Sequence, residues 1–135
     1  MRILAALILL TVAVAAPSAN LWVVEHGKLD HQVWAMRTHH GLPALVESQA
    51  LSSLATEQSY AMARAGVLFH HIPPEAFGTF VEVGQNVGRG GQVWQVVAAM
   101  MDSPYHRDIL LGDWVEVGFG HVREDGQVWV TLLFR

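Results

Sequence analysis

Apolar residues along this chain recur at two different spacings, and the changes between them mark out its elements. Leu51, Leu54, Ala55, Gln58, Met62 and Ala65 fall on one side of a helix; Ser48 is placed to cap its start and Gly66 to occupy the position just past its end. An earlier stripe of Leu29, Val33 and Met36, with Trp22 before it, predicts a helix over Val23 to His40, stopped by Gly41-Leu42-Pro43. Val93, Val96, Val97 and Met100 predict a third helix from Gln92 to Asp102, ended by Ser103-Pro104. Pro104 then begins a short helix through Leu111, because its missing N–H is no loss in a first turn. Elsewhere the spacing shortens to two. Thr79 to Val87, Trp114 to His121 and Gln127 to Phe134 alternate as strands do, and Asp125-Gly126 between the last two is a strong hairpin signal. Val67 to Pro74 turns at Pro73-Pro74, and Gly88 to Gly91 reads as a glycine-rich turn. Helices first, then strands interleaved with a helix, predict an α+β sandwich with a small antiparallel sheet.

Met1 to Ala16, MRILAALILLTVAVAA, follows a different rule. One arginine precedes an uncharged run of about a dozen residues and then small residues, the build of a secretory leader. Pro17 would follow a cut at Ala16, so cleavage is expected after Ala15 or Ala19. That leaves residues 1–19 as signal peptide and 20–135 as one domain. The run is too short to span a hydrocarbon core, which needs about 20 residues, so no stable membrane insertion is expected after cleavage.

Composition narrows the picture further. At 135 residues, 52% hydrophobic and 15% charged, the chain can fill a single core. Its net charge is −4, and loss of Arg2 with the leader would lower it by one more. No basic run is present, so nucleic acid and anionic membranes are poor partners. Cysteine is absent. An exported domain without disulfides rests on core burial alone, which fits a bacterial exported protein better than a small eukaryotic secreted scaffold. The glycines at 88–91 lack the strand-turn-helix setting and the lysine that phosphate binding needs.

Candidate chemistry comes from the histidines. There are eight, and none makes an HExxH or other local zinc spacing. His26, His31, His39, His40 and His121 read as surface or capping groups. His70 follows the apolar Val67-Leu68-Phe69 run after the second helix. His106 sits on the short helix, held between Pro104 and Ile109-Leu110. Glu116 stands in a strand between Val115 and Val117, where a carboxylate is costly without a cation, imidazole or metal beside it. The residues alone leave two arrangements open: these three converge on one cleft, or they are separate satisfied histidines and a surface glutamate. Arg107, next to His106, is expected to point elsewhere and make a surface contact.

Several stretches resemble the CAP (SCP) family of cysteine-rich secretory, antigen 5 and pathogenesis-related proteins, in its short bacterial form. They are Arg37 with "HGLPAL", "ALSSLATEQSYAMARAGVLFHH", "VGQNVGRG", "MMDSPYHRDIL", "WVEVGFGHV" and "VWVTLLF", in family order over Trp34 to Phe134. The resemblance implies an α-β-α sandwich, its small antiparallel sheet flanked by helices, with a shallow cleft lined by two histidines and two acids that hold a divalent metal in some members. Carried over by position, the cleft residues are His70, with His71 beside it, Gln85, His106 and Glu116; the metal ligands would be His70, His106 and Glu116. Gln85 departs from the family pattern, which has glutamate there. An amide removes a negative charge and weakens any site for Zn²⁺ or a similar cation. Glu82, three residues earlier on the strand, would face the other way and offers no compensation.

Taken together, the expectation is a secreted, cell-envelope or periplasmic monomer that binds a lipid, a glycan, a wall fragment or a divalent metal through this cleft. The alternative is a metal- or His/Glu-dependent hydrolase acting on peptide or cell-wall polymer. No nucleophile with an oxyanion partner is identifiable, Ser103 beside His106 being the nearest to one.

Overall fold

A computed structural model describes residues 2–7 and 28–135. The expected cleavage sites and residues 23–27 of the predicted first helix, with Trp22 and His26, lie outside the described residues; Lys28, predicted helical, is extended, and the helix starts at Leu29.

The elements in chain order are β1 (Arg2–Leu7), α1 (Leu29–His39), β2 (Val46–Glu47), α2 (Gln49–Ala65), a 3₁₀ turn (Pro74–Ala76), β3 (Glu82–Gly90), α3 (Val93–Met101), α4 (Pro104–Leu110), β4 (Glu116–Glu124) and β5 (Gln127–Phe134). Ser48 caps α2 as expected, its hydroxyl accepting from the Leu51 amide, and Gly66 ends the helix in the left-handed conformation at φ 68°. The two-residue turn between β4 and β5 puts Asp125 and Gly126 at positive φ, the geometry that matches strand twist.

The five strands form one mixed sheet in the order β1-β3-β5-β4-β2. Its centre, β3-β5-β4, is antiparallel as expected; β1 and β2 add parallel edges that the sequence pattern did not show. β3 begins at Glu82 rather than Thr79 and runs on through Gly88, Arg89 and Gly90, which pair with Val130, Trp129 and Val128. The expected glycine-rich turn is therefore strand. Pairing to a buried, β-branched neighbour supplies the ladder that glycine's own preference does not.

Two layers of helix cover the sheet. On one face α1, α3 and α4 bring Val33, Met36, Val97, Met100 and Leu110 onto Val117, Leu132 and Phe134. On the other, α2 brings Leu51, Ala55 and Met62 onto Val83, Val87, Leu133 and Trp129. Alternation along β5 serves both layers at once, which is why nearly the whole strand is buried. Arg37 is the buried charge that closes the first layer. Its guanidinium donates to the carbonyls of Leu110, Gly112 and Pro43, so it ties α1 to the end of α4 and to the 41–43 loop. Burial lowers its pKa from the usual arginine value, partly opposed by the charge of Asp113.

Candidate functional site

β3 organises the polar residues because consecutive positions on a strand serve opposite faces. Gln85 pairs in register with Leu133 on the α2 face, whereas Asn86 pairs with Leu132 on the α4 face.

On the α2 face, Gln85 is fully buried and bridges two residues of the loop after α2. Its Nε2 donates to the His71 carbonyl at 3.0 Å, and its Oε1 lies 2.8 Å from His70 Nδ1. Only an amide NH₂ can face the His71 carbonyl, so the Gln85 oxygen must face His70. The Nδ1 of His70 therefore carries the proton and donates. In the neutral ring this leaves a lone pair on Nε2, and that atom is buried without a hydrogen-bond partner among the described residues. Gln58 fixes the same loop from the helix side by donating to the Phe69 carbonyl.

On the α4 face, Asn86 donates to the His106 carbonyl at 3.0 Å, which pins the short helix to β3. The His106 ring is buried, and its Nδ1 lies 2.7 Å from Ser103 Oγ. Ser103 starts α4 but makes no side-chain cap bond to the helix backbone, so its hydroxyl serves the histidine instead. Pro104 and the buried pair Ile109 and Leu110 hold the turn on either side, as the sequence pattern indicates.

Glu116 has a cation beside it, one of the partners its strand position calls for, rather than the histidines. Its Oε2 accepts from Arg135 Nε at 2.6 Å, both side chains being largely shielded. The Arg135 guanidinium also donates to the Ala76 carbonyl and lies 3.5 Å from Ser48 Oγ. This contact was legible in principle. The hairpin pairs Glu124 with Gln127 and Val117 with Phe134, and one more step sets Glu116 opposite Arg135.

The structure thus brings His70 and Gln85 into direct contact and links His106 to the adjacent strand residue on the opposite sheet face. Glu116 lies two strands from Gln85, beyond β5, with a cation of its own. Among the described residues, no group of three or more His, Asp or Glu side chains stands close enough together to hold a metal ion. In this arrangement the donor set fits a resident divalent cation poorly, since Gln85 is neutral and the Glu116 carboxylate is already neutralised. Arg107 is exposed and meets His40 Nε2 at 3.4 Å, a surface contact with an imidazole rather than an acid. His31, His39 and His121 are exposed, as expected.

A model of the cysteine-rich secretory protein family, CAP, matches residues 31–134. No curated protein matches the sequence. Among solved structures, an outer surface protein of Borrelia burgdorferi is similar with a TM-score of 0.67 at 20% identity, covering 78% of this chain and 87% of that one. An extracellular SCP-domain protein of Bacillus anthracis gives 0.62 at 21% identity, with 78% of this chain and 38% of that one covered. A cysteine-rich secretory protein of Staphylococcus aureus gives 0.56 at 23% identity, with 78% and 36% covered. The chain therefore spans less than two fifths of the last two proteins. At these identities the likeness is one of fold.

Proposed function

The chain belongs to the cysteine-rich secretory protein (CAP) family, and on that footing we propose that it is an exported, non-catalytic binding module of the cell envelope. The ligand site is the polar region around His70 and Gln85, with His106 presented from the other side of β3. The observation that carries this reading is the buried Gln85 amide. It fixes the orientation and tautomer of His70 and leaves one imidazole nitrogen as an unused acceptor in a shielded position. A ligand with a hydroxyl or amide donor, as in a glycan or wall fragment, would satisfy that atom. Burying such an acceptor without a partner costs about 1–3 kcal/mol, so its satisfaction would favour binding.

Hydrolysis draws less support from the same geometry. A general base on Glu116 would first have to leave Arg135, and Gln85 cannot take a proton. Ser103 and His106 are in contact, but they sit three residues apart at one helix start, and no oxyanion partner is identifiable beside them.

Calorimetric titration of soluble wall glycopeptide fragments, and separately of zinc chloride, into the wild type and into the His70→Ala/His106→Ala double variant tests the proposal. Saturable fragment binding that the double variant loses is the expected result. Fragment binding indifferent to both substitutions, or turnover of the fragments by wild type that disappears in Glu116→Gln, would overturn it. A stoichiometric zinc site lost in the double variant would replace the glycan reading with a metal one.

A further inference from the structure

The residues expected to form the first part of a cleaved leader are, in this structure, an edge strand. β1 lies parallel to β3 with Arg2 opposite Glu82, Ala5 opposite Gln85 and Ala6 opposite Asn86. The Arg2 amide donates to the Val81 carbonyl. Alternation then turns the Leu4 and Ala6 amides toward β3, and the free groups of Val83, Gln85 and Val87 toward β1. Few side chains of β1 are used. Ala6 is buried against the α4-face core and Leu4 packs partly on it, while Ile3 and Ala5 remain exposed. The seat is made mainly by backbone, with one aliphatic and one small position two residues apart.

We propose that the β3 edge is a strand-accepting site. Residues 2–7 fill it in the full chain, and an extended peptide from a partner protein takes it when that segment is displaced or cleaved away. Two features define the occupant. Its core-facing positions read an aliphatic residue followed two places on by a small one, as Leu4 and Ala6 do. Its leading end is basic, because the register sets Arg2 opposite Glu82 in an otherwise acidic protein. β3 itself carries none of the usual guards of an open edge: it has no proline, and between Glu82 and Arg89 no charge. An emptied edge would expose unpaired amides and carbonyls that an incoming strand satisfies. The inference goes beyond the His70 reading, because the β3 backbone makes the contact whatever the imidazole binds.

The full-length chain carrying Leu4→Pro tests it, since proline removes a ladder donor at the centre of β1. The probe is the peptide Arg-Ile-Leu-Ala-Ala-Leu with a fluorophore on its C-terminus, followed by anisotropy. Saturable binding to Leu4→Pro but not to wild type is expected. Proline at the third position of the peptide should weaken that binding about tenfold or more, the loss of a ladder bond and its neighbours. Glu82→Lys in the opened chain should weaken it several-fold. Should Leu4→Pro fail to fold by circular dichroism, Leu4→Gly loosens the same strand and carries the same test. No binding by a folded, opened chain, equal binding to wild type, or indifference to proline in the peptide would each overturn the proposal.

Discussion

Gly120→Ala probes a close approach between β4 and α2. Gly120 faces α2 from β4, and a Cβ built there would lie 2.2 Å from the Ala55 carbonyl carbon, 2.3 Å from its oxygen and 2.4 Å from the Thr56 nitrogen. Ordinary contact begins near 3.4 Å, so α2 would have to retreat by more than an ångström or the sheet would have to bend. These atoms are helix backbone, which cannot swing aside as a side-chain tip can. The same helix carries Leu51, Ala55 and Met62 into the core, so its retreat loosens contacts beyond the substituted site. Overpacking of a core costs about 1–3 kcal/mol, with backbone clashes at the upper end. Replacing glycine within a strand returns about 0.5–1 kcal/mol. The net loss is therefore about 2 kcal/mol, which for a domain of this size lowers the melting temperature by roughly 6–12 °C. Thermal and urea unfolding followed by tryptophan fluorescence measure it. A second substitution, Ala55→Gly, should not rescue the variant, because the struck atoms belong to the Ala55 main chain. A melting temperature within two or three degrees of wild type, or a clear rescue by Ala55→Gly, would refute the reasoning.

Two other substitutions test different contacts. Arg37→Met keeps the length of the side chain but removes the donors to three carbonyls, two of them at the end of α4; a loss of about 2–4 kcal/mol in urea denaturation is expected. Arg135→Ala strips Glu116 of its cation, and a loss of about 1 kcal/mol at neutral pH is expected, eased in Arg135→Ala/Glu116→Gln because the second change removes the stranded charge. Destabilisation by the double variant equal to that of Arg135→Ala would mean that the ion pair is not what the arginine contributes.

Much of the fold was legible from spacing. The α2 helix, with Ser48 before it and Gly66 after it, the α3 and α4 helices split at Pro104, and the β4–β5 hairpin through Asp125-Gly126 all follow from local chemistry. Strand β3 was half legible. Its alternation through Val87 shows in the sequence, but its continuation through Gly88, Arg89 and Gly90 depends on β5, a partner nearly 40 residues away in the chain. The candidate site divides the same way. The sequence marked His70, His106 and Glu116 as residues with unspent chemistry, the family resemblance added Gln85, and the structure sets Gln85 against His70.

By itself, then, the sequence determined where the helices stop and which polar side chains have to find partners inside an apolar chain. Those outcomes depend on neighbours three or four residues away, or on a turn that closes within two. Only the tertiary structure decided who the partners are. It gave Glu116 to Arg135, set Gln85 and Asn86 on opposite faces of β3, and placed residues 2–7 along the edge of β3. Strand pairing joins positions distant in sequence, and a single step of register exchanges the faces of a sheet. Composition and periodicity constrain such choices only weakly.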